Sequence, residues 1–559
     1  MAPSSPRPET HRTVTTRPFS AHTRRAALDL LSHARFDVLI IGGGITGAGV
    51  ARDAAMRGLR TALVERDDFA SGTSSRSSRL IHGGLRYLEH GWLHLVFESS
   101  RERRTLMRIA PHLVRPLAFT WPVYDEARVP LWKLGAGLMV YDALALFRNL
   151  GGNHRRLVPD EVVELEPAIR RDGLRGGARY FDASTNDVRL TLANVKAAVD
   201  EGATVMNHAE VRMLRRAGSH VTGAHVVDRI TGKGVDVTAR AVVNATGPWS
   251  DSIRRMVDPH ASTALRGTKG VHIAVPRARV ANRDALTVLS AIDGRVMFVL
   301  PAGLFTIVGT TDTDYAGPID EVRATRADVD YLLRSANAYF PGAQLTASDV
   351  IAAWAGIRPL VAGRGADPGS TSREHAITWT APGLLSVTGG KLTTYRSMAA
   401  SVVDQVVRAL GATGHPAATH AVPLPGGDMS SLAEETTIAT AAIGIAPLAE
   451  HLVRMYGTAW RAVWTIVGSN TALSAPVVPT LPYIVAELHY AVEQEMALTL
   501  GDLLIRRLHV AYETRDHGIA AAPAAARAVG PLLGWSESDY STQLAEYRAE
   551  IARIFGIAE

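Results

Sequence analysis

Cysteine is absent from the 559 residues, which excludes disulfides, thiolate nucleophiles and cysteine-ligated iron–sulfur clusters together. Redox chemistry, if present, must sit on a bound organic cofactor or on a metal held by other ligands, and no metal site is expected. No run is long enough to cross a membrane. The most apolar stretch, Val129–Phe147, carries Lys133 and Asp142 and falls short of the roughly 20 clean apolar residues a span needs. It is expected to form a buried or interfacial helix. The N-terminal stretch lacks the apolar segment of a secretory signal. There is no internal repeat, no nucleic-acid motif and no long basic run in the interior of the sequence.

What remains is an ordinary globular composition, 47% hydrophobic and 20% charged, in a chain long enough for more than one domain. The net charge is +6. Part of the excess lies in residues 1–35, where Arg7, Arg12, Arg17, Arg24, Arg25 and Arg35 face only Glu9 and Asp29. This segment reads as a basic, solvated and disordered tail.

The clearest unit is Phe36–Phe69, FDVLIIGGGITGAGVARDAAMRGLRTALVERDDF. Val38–Ile41 reads as a buried parallel strand. Gly42, Gly44 and Gly47 supply G-x-G-x-x-G, a helix follows to Met56, and Thr61–Val64 makes a second strand ending at Glu65. This is the order a dinucleotide site requires. Gly42 permits the tight turn, Gly44 lets backbone approach a pyrophosphate, and Gly47 lets the helix pack on the strand. Backbone around Ile45 and Thr46, at the start of the helix, offers N–H donors to phosphate. Glu65 suits both ribose hydroxyls and would repel a 2′-phosphate, which argues against NADP.

Ala239–Ser250 is a second buried strand ending in Ala245-Thr246-Gly247, small residues that let backbone come close to a cofactor. Arg295–Asp314 reads as a β-hairpin turning at Pro301–Gly303, and Gly383–Val407 returns to strand, glycine turn and helix. The cofactor domain is thus visited early, midway and late. Gly411–Asp428 is rich in glycine and proline and reads as a linker. Beyond it the pattern is helical, with Thr499 placed to cap a helix and Asp502 three places on.

Four stretches, DVLIIGGGITGAGVARDAAMRGL, VERDDFASGTSSRSSRLIHGGLRYLE, GIRPL and GGKLTTYR, resemble the FAD-dependent glycerol-3-phosphate dehydrogenases, flavoproteins of the glutathione-reductase and D-amino-acid-oxidase type. The resemblance runs from about Phe36 to Ser397. It implies an α/β fold: a Rossmann-like FAD-binding domain over 36–410, an interleaved mixed or antiparallel-sheet substrate domain (about 116–184 and 248–382), the linker 411–428, and a C-terminal α-helical domain over 429–559. It also implies oxidation of sn-glycerol 3-phosphate at C2 to dihydroxyacetone phosphate. Electrons would then pass to a membrane quinone, from a protein on the cytoplasmic surface of the membrane rather than spanning it. A homodimer is compatible with this reading.

The resemblance also assigns residues. Ser71, Thr73, Ser74 and Ser77, with Arg66, would bond the pyrophosphate and the flavin edge; a solvated polar loop is the alternative. His82 falls where the family carries a histidine near the flavin. It would take the proton from the C2 hydroxyl, or only bond the flavin and orient substrate. Gly83 and Gly84 would leave space for substrate and isoalloxazine. Arg86 would hold the substrate phosphate, with Tyr87 beside it. Arg358 would lie over substrate and flavin, Arg373 would add a phosphate ligand, and His272 is either a substrate-side group or structural. Gly390, Lys391, Thr393 and Thr394 would meet the pyrimidine edge of the flavin.

Three other readings stand beside this one: an oxidase passing electrons to O₂, an amine or amino-acid oxidase on the same fold, and a non-enzymatic flavin-containing nucleic-acid-binding protein. The cationic set Arg86, Arg358, Arg373 and Lys391 suits a phosphate dianion better than a single carboxylate.

Overall fold

The computed structural model describes residues 19–85, 88, 91–125, 127–146, 151–361, 375–413 and 415–559. Two sheets and a helical domain organise them. The first sheet contains β1 (Arg35–Ile41), β2 (Thr61–Val64), β7 (Thr204–Met206), β8 (Ala209–Ala217), β9 (His220–Asp228), β10 (Gly234–Asn244), β17 (Ala376–Ala381) and β18 (Leu384–Thr388). Its order is β17-β18-β10-β1-β2-β7, with β9 also paired to β10 and β8 to β9. The five central strands, β18 to β7, run parallel. Val38–Ile41 and all of β2 are buried, as expected for strands covered on both faces.

The second sheet contains β3 (Leu80–Ile81), β4 (Val114–Tyr124), β5 (Arg155–Leu157), β6 (Leu174–Thr185), β11 (Leu265–Pro276), β12 (Ala285–Leu289), β13 (Val296–Ala302), β14 (Phe305–Gly309), β15 (Thr313–Asp314) and β16 (Ala352–Val361). It is antiparallel apart from the β4–β12 pair. The hairpin expected within Arg295–Asp314 is β13–β14, closing through Gly303 at φ +64°.

The tail expectation is corrected over residues 19–35. Arg24–His33 is a helix with Leu28 and Leu31 buried against the β8–β9–β10 layer. The Arg24 guanidinium is paired to both oxygens of Asp228 at 2.7 Å and also donates to the Asn207 carbonyl. Phe19 is buried as well. The charge that suggested solvation is satisfied by a partner 204 positions away.

The stretch 411–428 is wedged against the first domain. Thr419 and Leu424 are buried, and the Arg52 guanidinium donates to the Val422 carbonyl at 2.7 Å. The helices beyond it run from Leu432–Ile443 to Glu537–Phe555. Thr499 and Asp502 cap each other: the Asp502 amide donates to the Thr499 hydroxyl and the Thr499 amide to the Asp502 carboxylate, both at 3.1 Å. The turn that follows, Asp502–Arg507, is a π-helix rather than an α-helix. It sends Arg506 and Arg507 to the buried Asp68 at the seam between the domains. A second buried pair, Arg189 on Glu495, crosses the same seam at 2.6 and 2.7 Å.

Candidate functional site

The register of the first sheet brings four strand ends level. Ile41 pairs with Asn244 and Val64, and Asn244 pairs with Ser386. The segments leaving β1, β2, β10 and β18 therefore open on one edge, where a cleft of about 410 Å³ lies. Ligands of open parallel sheets bind in this position, outside the carboxyl ends of the strands.

The glycine turn forms the floor. Gly42 has φ +107°, and a Cβ there would lie 2.7 Å from the Ala245 carbonyl oxygen. A Cβ on Gly47 would lie 1.8 Å from the Gly42 oxygen, so Gly47 lets the turn fold back on its own helix. Gly44, Ile45 and Thr46 line the cleft at the start of the helix Ile45–Met56. Gly44 supplies no side chain to cap that helix, and Ser74 Oγ accepts the Ile45 amide at 2.9 Å instead.

Glu65 closes the turn from the side. One carboxylate oxygen accepts the Gly43 amide at 2.6 Å and the other accepts the Asp67 amide at 2.9 Å. Burial, followed by the nearby Asp67 charge, pushes this carboxyl up to about 7. A cradle that admits no Cβ, a helix start capped only by Ser74 and a carboxylate on the cleft wall suit the pyrophosphate and ribose of FAD. Ala245 and Gly247 line the same wall, and Gly390 and Lys391 line the cleft as well.

The serine-rich loop lines the cleft through Ser71, Thr73, Ser74 and Ser77, but two of its hydroxyl protons are already used within the protein. Thr73 donates to the Ile357 carbonyl and Ser77 to Asp187, both at 2.7 Å. Arg66 reaches Asp320 at 2.7 Å and lies over the Trp249 ring at 5.2 Å. Thr394 is buried at the start of the helix Tyr395–Leu410.

His82 follows β3 directly. Its amide donates to Thr393 Oγ1 at 3.1 Å, and that hydroxyl donates back to the His82 carbonyl at 3.3 Å. The histidine is thereby tied to the segment that carries Gly390 and Lys391, 311 positions away. Its ring lies 6.3 Å from that of Phe298. Arg358 sits on β16, donating to Asp312 at 2.8 Å and to Thr310 Oγ1 at 2.9 Å. Arg86, Tyr87 and Arg373 lie outside the described residues.

One expectation changes, and of the two readings of His272 the geometry favours the structural one. Gly83 does not leave room for a ligand. A Cβ there would lie 2.3 Å from the Tyr141 hydroxyl, so the missing side chain is the space Tyr141 uses. His272 is buried beneath the loop. Its Nε2 lies 2.9 Å from Ser78 Oγ, and its ring stacks on Trp354 at 5.5 Å. Burial, then the Arg358 and Arg79 charges, pull it down to about 3, so it stays neutral and supports the chain ahead of His82. Tyr141, Asp182 and Thr393 were not legible as partners of the His82 turn. Their bonds to it are made across long sequence separations, and only the glycine after His82 hinted at a close neighbour.

Residues 37–396 match the family described as FAD dependent oxidoreductase, and residues 417–540 match the C-terminal domain of alpha-glycerophosphate oxidase. Glycerol-3-phosphate dehydrogenase 2 of Mycobacterium tuberculosis is 38% identical over 534 residues, spanning 94% of this chain and 90% of the relative. Alpha-glycerophosphate oxidase of Streptococcus pneumoniae is 33% identical, spanning 96% and 98%. Among solved structures, the glycerol-3-phosphate dehydrogenase from Bacillus halodurans complexed with FAD superposes with a TM-score of 0.80 at 32% identity, covering 96% of this chain and 98% of that one. An L-proline dehydrogenase from P. horikoshii, at 15% identity and a TM-score of 0.53, shares the fold alone.

Proposed function

The chain belongs to the FAD-dependent glycerol-3-phosphate dehydrogenase and oxidase family, and from that premise we propose that it oxidises sn-glycerol 3-phosphate to dihydroxyacetone phosphate and hands the electrons to a membrane quinone. The observation that carries this reading is the joining of the His82 turn to the Gly390–Thr393 segment that lines the cofactor cleft. It ties the main chain of a histidine to the segment that lines that cleft. FAD, when bound, supplies the acceptor for the hydride leaving C2.

The chain's own residues do the rest. The glycine turn, the Ile45–Met56 helix start and Glu65 hold the cofactor's pyrophosphate and ribose, while Ser71, Ser74, Ala245 and Gly247 complete the walls. His82 takes the proton from the C2 hydroxyl, as imidazole commonly does in general base catalysis. Arg86, Arg358, Arg373 and Lys391 answer the charge of the phosphate, which favours a phosphorylated substrate over an amino acid.

The membrane part of the reading is supported by the helix Leu131–Leu144. It leaves Trp132 72% and Met139 60% exposed beside Lys133, an apolar surface of the kind that marks contact with a membrane or a protein partner. Among the described residues no helix is long and apolar enough to cross a membrane. The relative named an oxidase supports a second reading, with O₂ as acceptor. Anaerobic mixing with glycerol 3-phosphate should bleach the oxidised flavin, and unchanged absorbance would overturn the substrate. Turnover with a quinone analogue, measured against turnover with O₂, then decides the acceptor; faster reoxidation by O₂ would reject the quinone.

A further inference from the structure

His82 and Gly83 lie just past the end of β3, whose Ile81 still pairs with Ala183, and their own main-chain bonds go elsewhere. Side chains from three other segments supply the partners. Thr393 binds the His82 amide and carbonyl. The next amide, Gly83, points at two acceptors at once: the Tyr141 hydroxyl at 2.9 Å and Asp182 Oδ1 at 3.1 Å. Tyr141 in turn donates its proton to the same Asp182 oxygen at 2.6 Å.

Arg103 completes the group. Its guanidinium donates to the Tyr141 hydroxyl at 3.1 Å, to the Phe181 carbonyl at 3.0 Å and to Asp182 at close range. Asp182 is 4% exposed, Tyr141 0% and Arg103 5%. Burial, and then the Asp182 charge, raise the Tyr141 hydroxyl well above its usual range, so it remains a donor at every working pH. The contact is tight, since Gly83 admits no Cβ against Tyr141.

We propose that Asp182, oriented by Arg103 and Tyr141, is the positioning group for His82: by fixing the Gly83 amide it sets where the imidazole stands over the substrate carbon. The inference rests on the proton-abstracting role proposed for His82. Arg103 supplies the counter-charge that keeps the carboxylate in place, Tyr141 shares the amide, and none of the three needs to touch substrate. Their contribution belongs to the rate of proton and hydride removal and not to phosphate binding. Small displacements of a reacting group are felt mainly in that rate.

The test uses FAD-loaded full-length protein. Tyr141→Phe keeps the ring and removes one acceptor of the Gly83 amide; Asp182→Asn keeps an acceptor and removes the charge. Anaerobic flavin bleaching is followed per bound flavin against glycerol 3-phosphate concentration and against pH, with His82→Ala in parallel. Tyr141→Phe is expected to retain FAD and to bleach roughly 10-fold more slowly. Its half-saturating substrate concentration should stay within about twofold of wild type, and the pH limb assigned to His82 should be displaced. Asp182→Asn is expected to be slower again. If Asp182→Asn does not fold, Tyr141→Phe decides alone. A normal bleaching rate and pH limb in Tyr141→Phe overturn the proposal even if its melting temperature falls, because a merely structural role moves only the latter. Near-normal bleaching in His82→Ala overturns the base reading instead, and slow His82→Ala with fast Tyr141→Phe overturns the positioning role alone.

Discussion

Replacing Glu65 with glutamine probes the glycine turn and the cofactor cleft together. The two carboxylate oxygens accept the Gly43 and Asp67 amides at 2.6 and 2.9 Å. Glutamine offers one acceptor oxygen and an amide nitrogen that only donates, so one of the two backbone donors must face a donor. At about pH 5 the buried Glu65 carboxyl is protonated, so the bond lost there is one to an uncharged oxygen, about 0.5–1.5 kcal/mol. Opposing this is the burial that lifts the carboxyl from 4.5 to about 7. A raised folded-state pKa gives stability that is complete below the unfolded value and is lost as pH climbs through the folded one. Between these two values the wild type gives up at most about 3 kcal/mol, and the glutamine variant gives up none of it. Urea unfolding of cofactor-stripped protein should therefore show the variant less stable than wild type at about pH 5, with the gap closing or reversing by about pH 8. FAD should bind the variant roughly 10- to 100-fold more weakly through loss of one charge-assisted ribose contact, read from flavin fluorescence on dilution. Parallel stability curves for the two proteins would refute the perturbed carboxyl. Intact FAD content with a fall only in glycerol-3-phosphate affinity would refute its place at the ribose.

His82→Ala should slow anaerobic bleaching by about 10²–10⁴-fold and abolish the limb that requires a deprotonated group; stopped-flow rates across pH give both. Gly47→Ala forces a methyl group against the Gly42 oxygen 1.8 Å away, so the purified protein should carry little flavin, and a full complement would contradict the tight turn. Asp68→Asn leaves Arg506 and Arg507 buried without their shared counter-charge and should lower unfolding stability by about 3–5 kcal/mol, seen as an earlier urea midpoint. An unchanged midpoint would show that the domain seam does not depend on this network.

The sequence is most legible where its chemistry is local. The strand, glycine turn, helix and acid of Phe36–Glu65 lie where read because each step is decided within a few residues, as is the mutual cap of Thr499 and Asp502. It is least legible where a charge finds its partner across the fold. Arg24 looked solvated because Asp228 lies 204 positions on. Gly83 reads as room for a ligand because the residue filling that room, Tyr141, lies 58 positions on. Of the candidate site, the cofactor half follows from pattern, and most of its residues line the cleft, though Gly47, Thr393 and Thr394 do not. The substrate half depends on long-range bonds to single atoms, and Thr73 and Ser77 turn out to hold the loop as well as line the cleft.

The order of strands in the first sheet has a consequence for how the chain is made. β1 pairs with β10, and β10 with β18, so the cofactor sheet draws its parallel neighbours from segments spread over roughly 350 residues. At ribosomal rates of about 5–20 residues per second, roughly 20–70 s separate the emergence of β1 from that of β18. β2 follows Val38–Ile41 within about 25 residues, but the other neighbour of that strand, β10, follows only after about 200. Pairing at such separation is also slow on its own account. The nascent chain therefore presents β1 with one edge unpaired until β10 emerges, and β10 with one edge unpaired until β18 emerges. A chaperone that holds such segments, or free FAD supplied as the sheet closes, should raise the yield of soluble protein more than slower unfolding of the finished fold does.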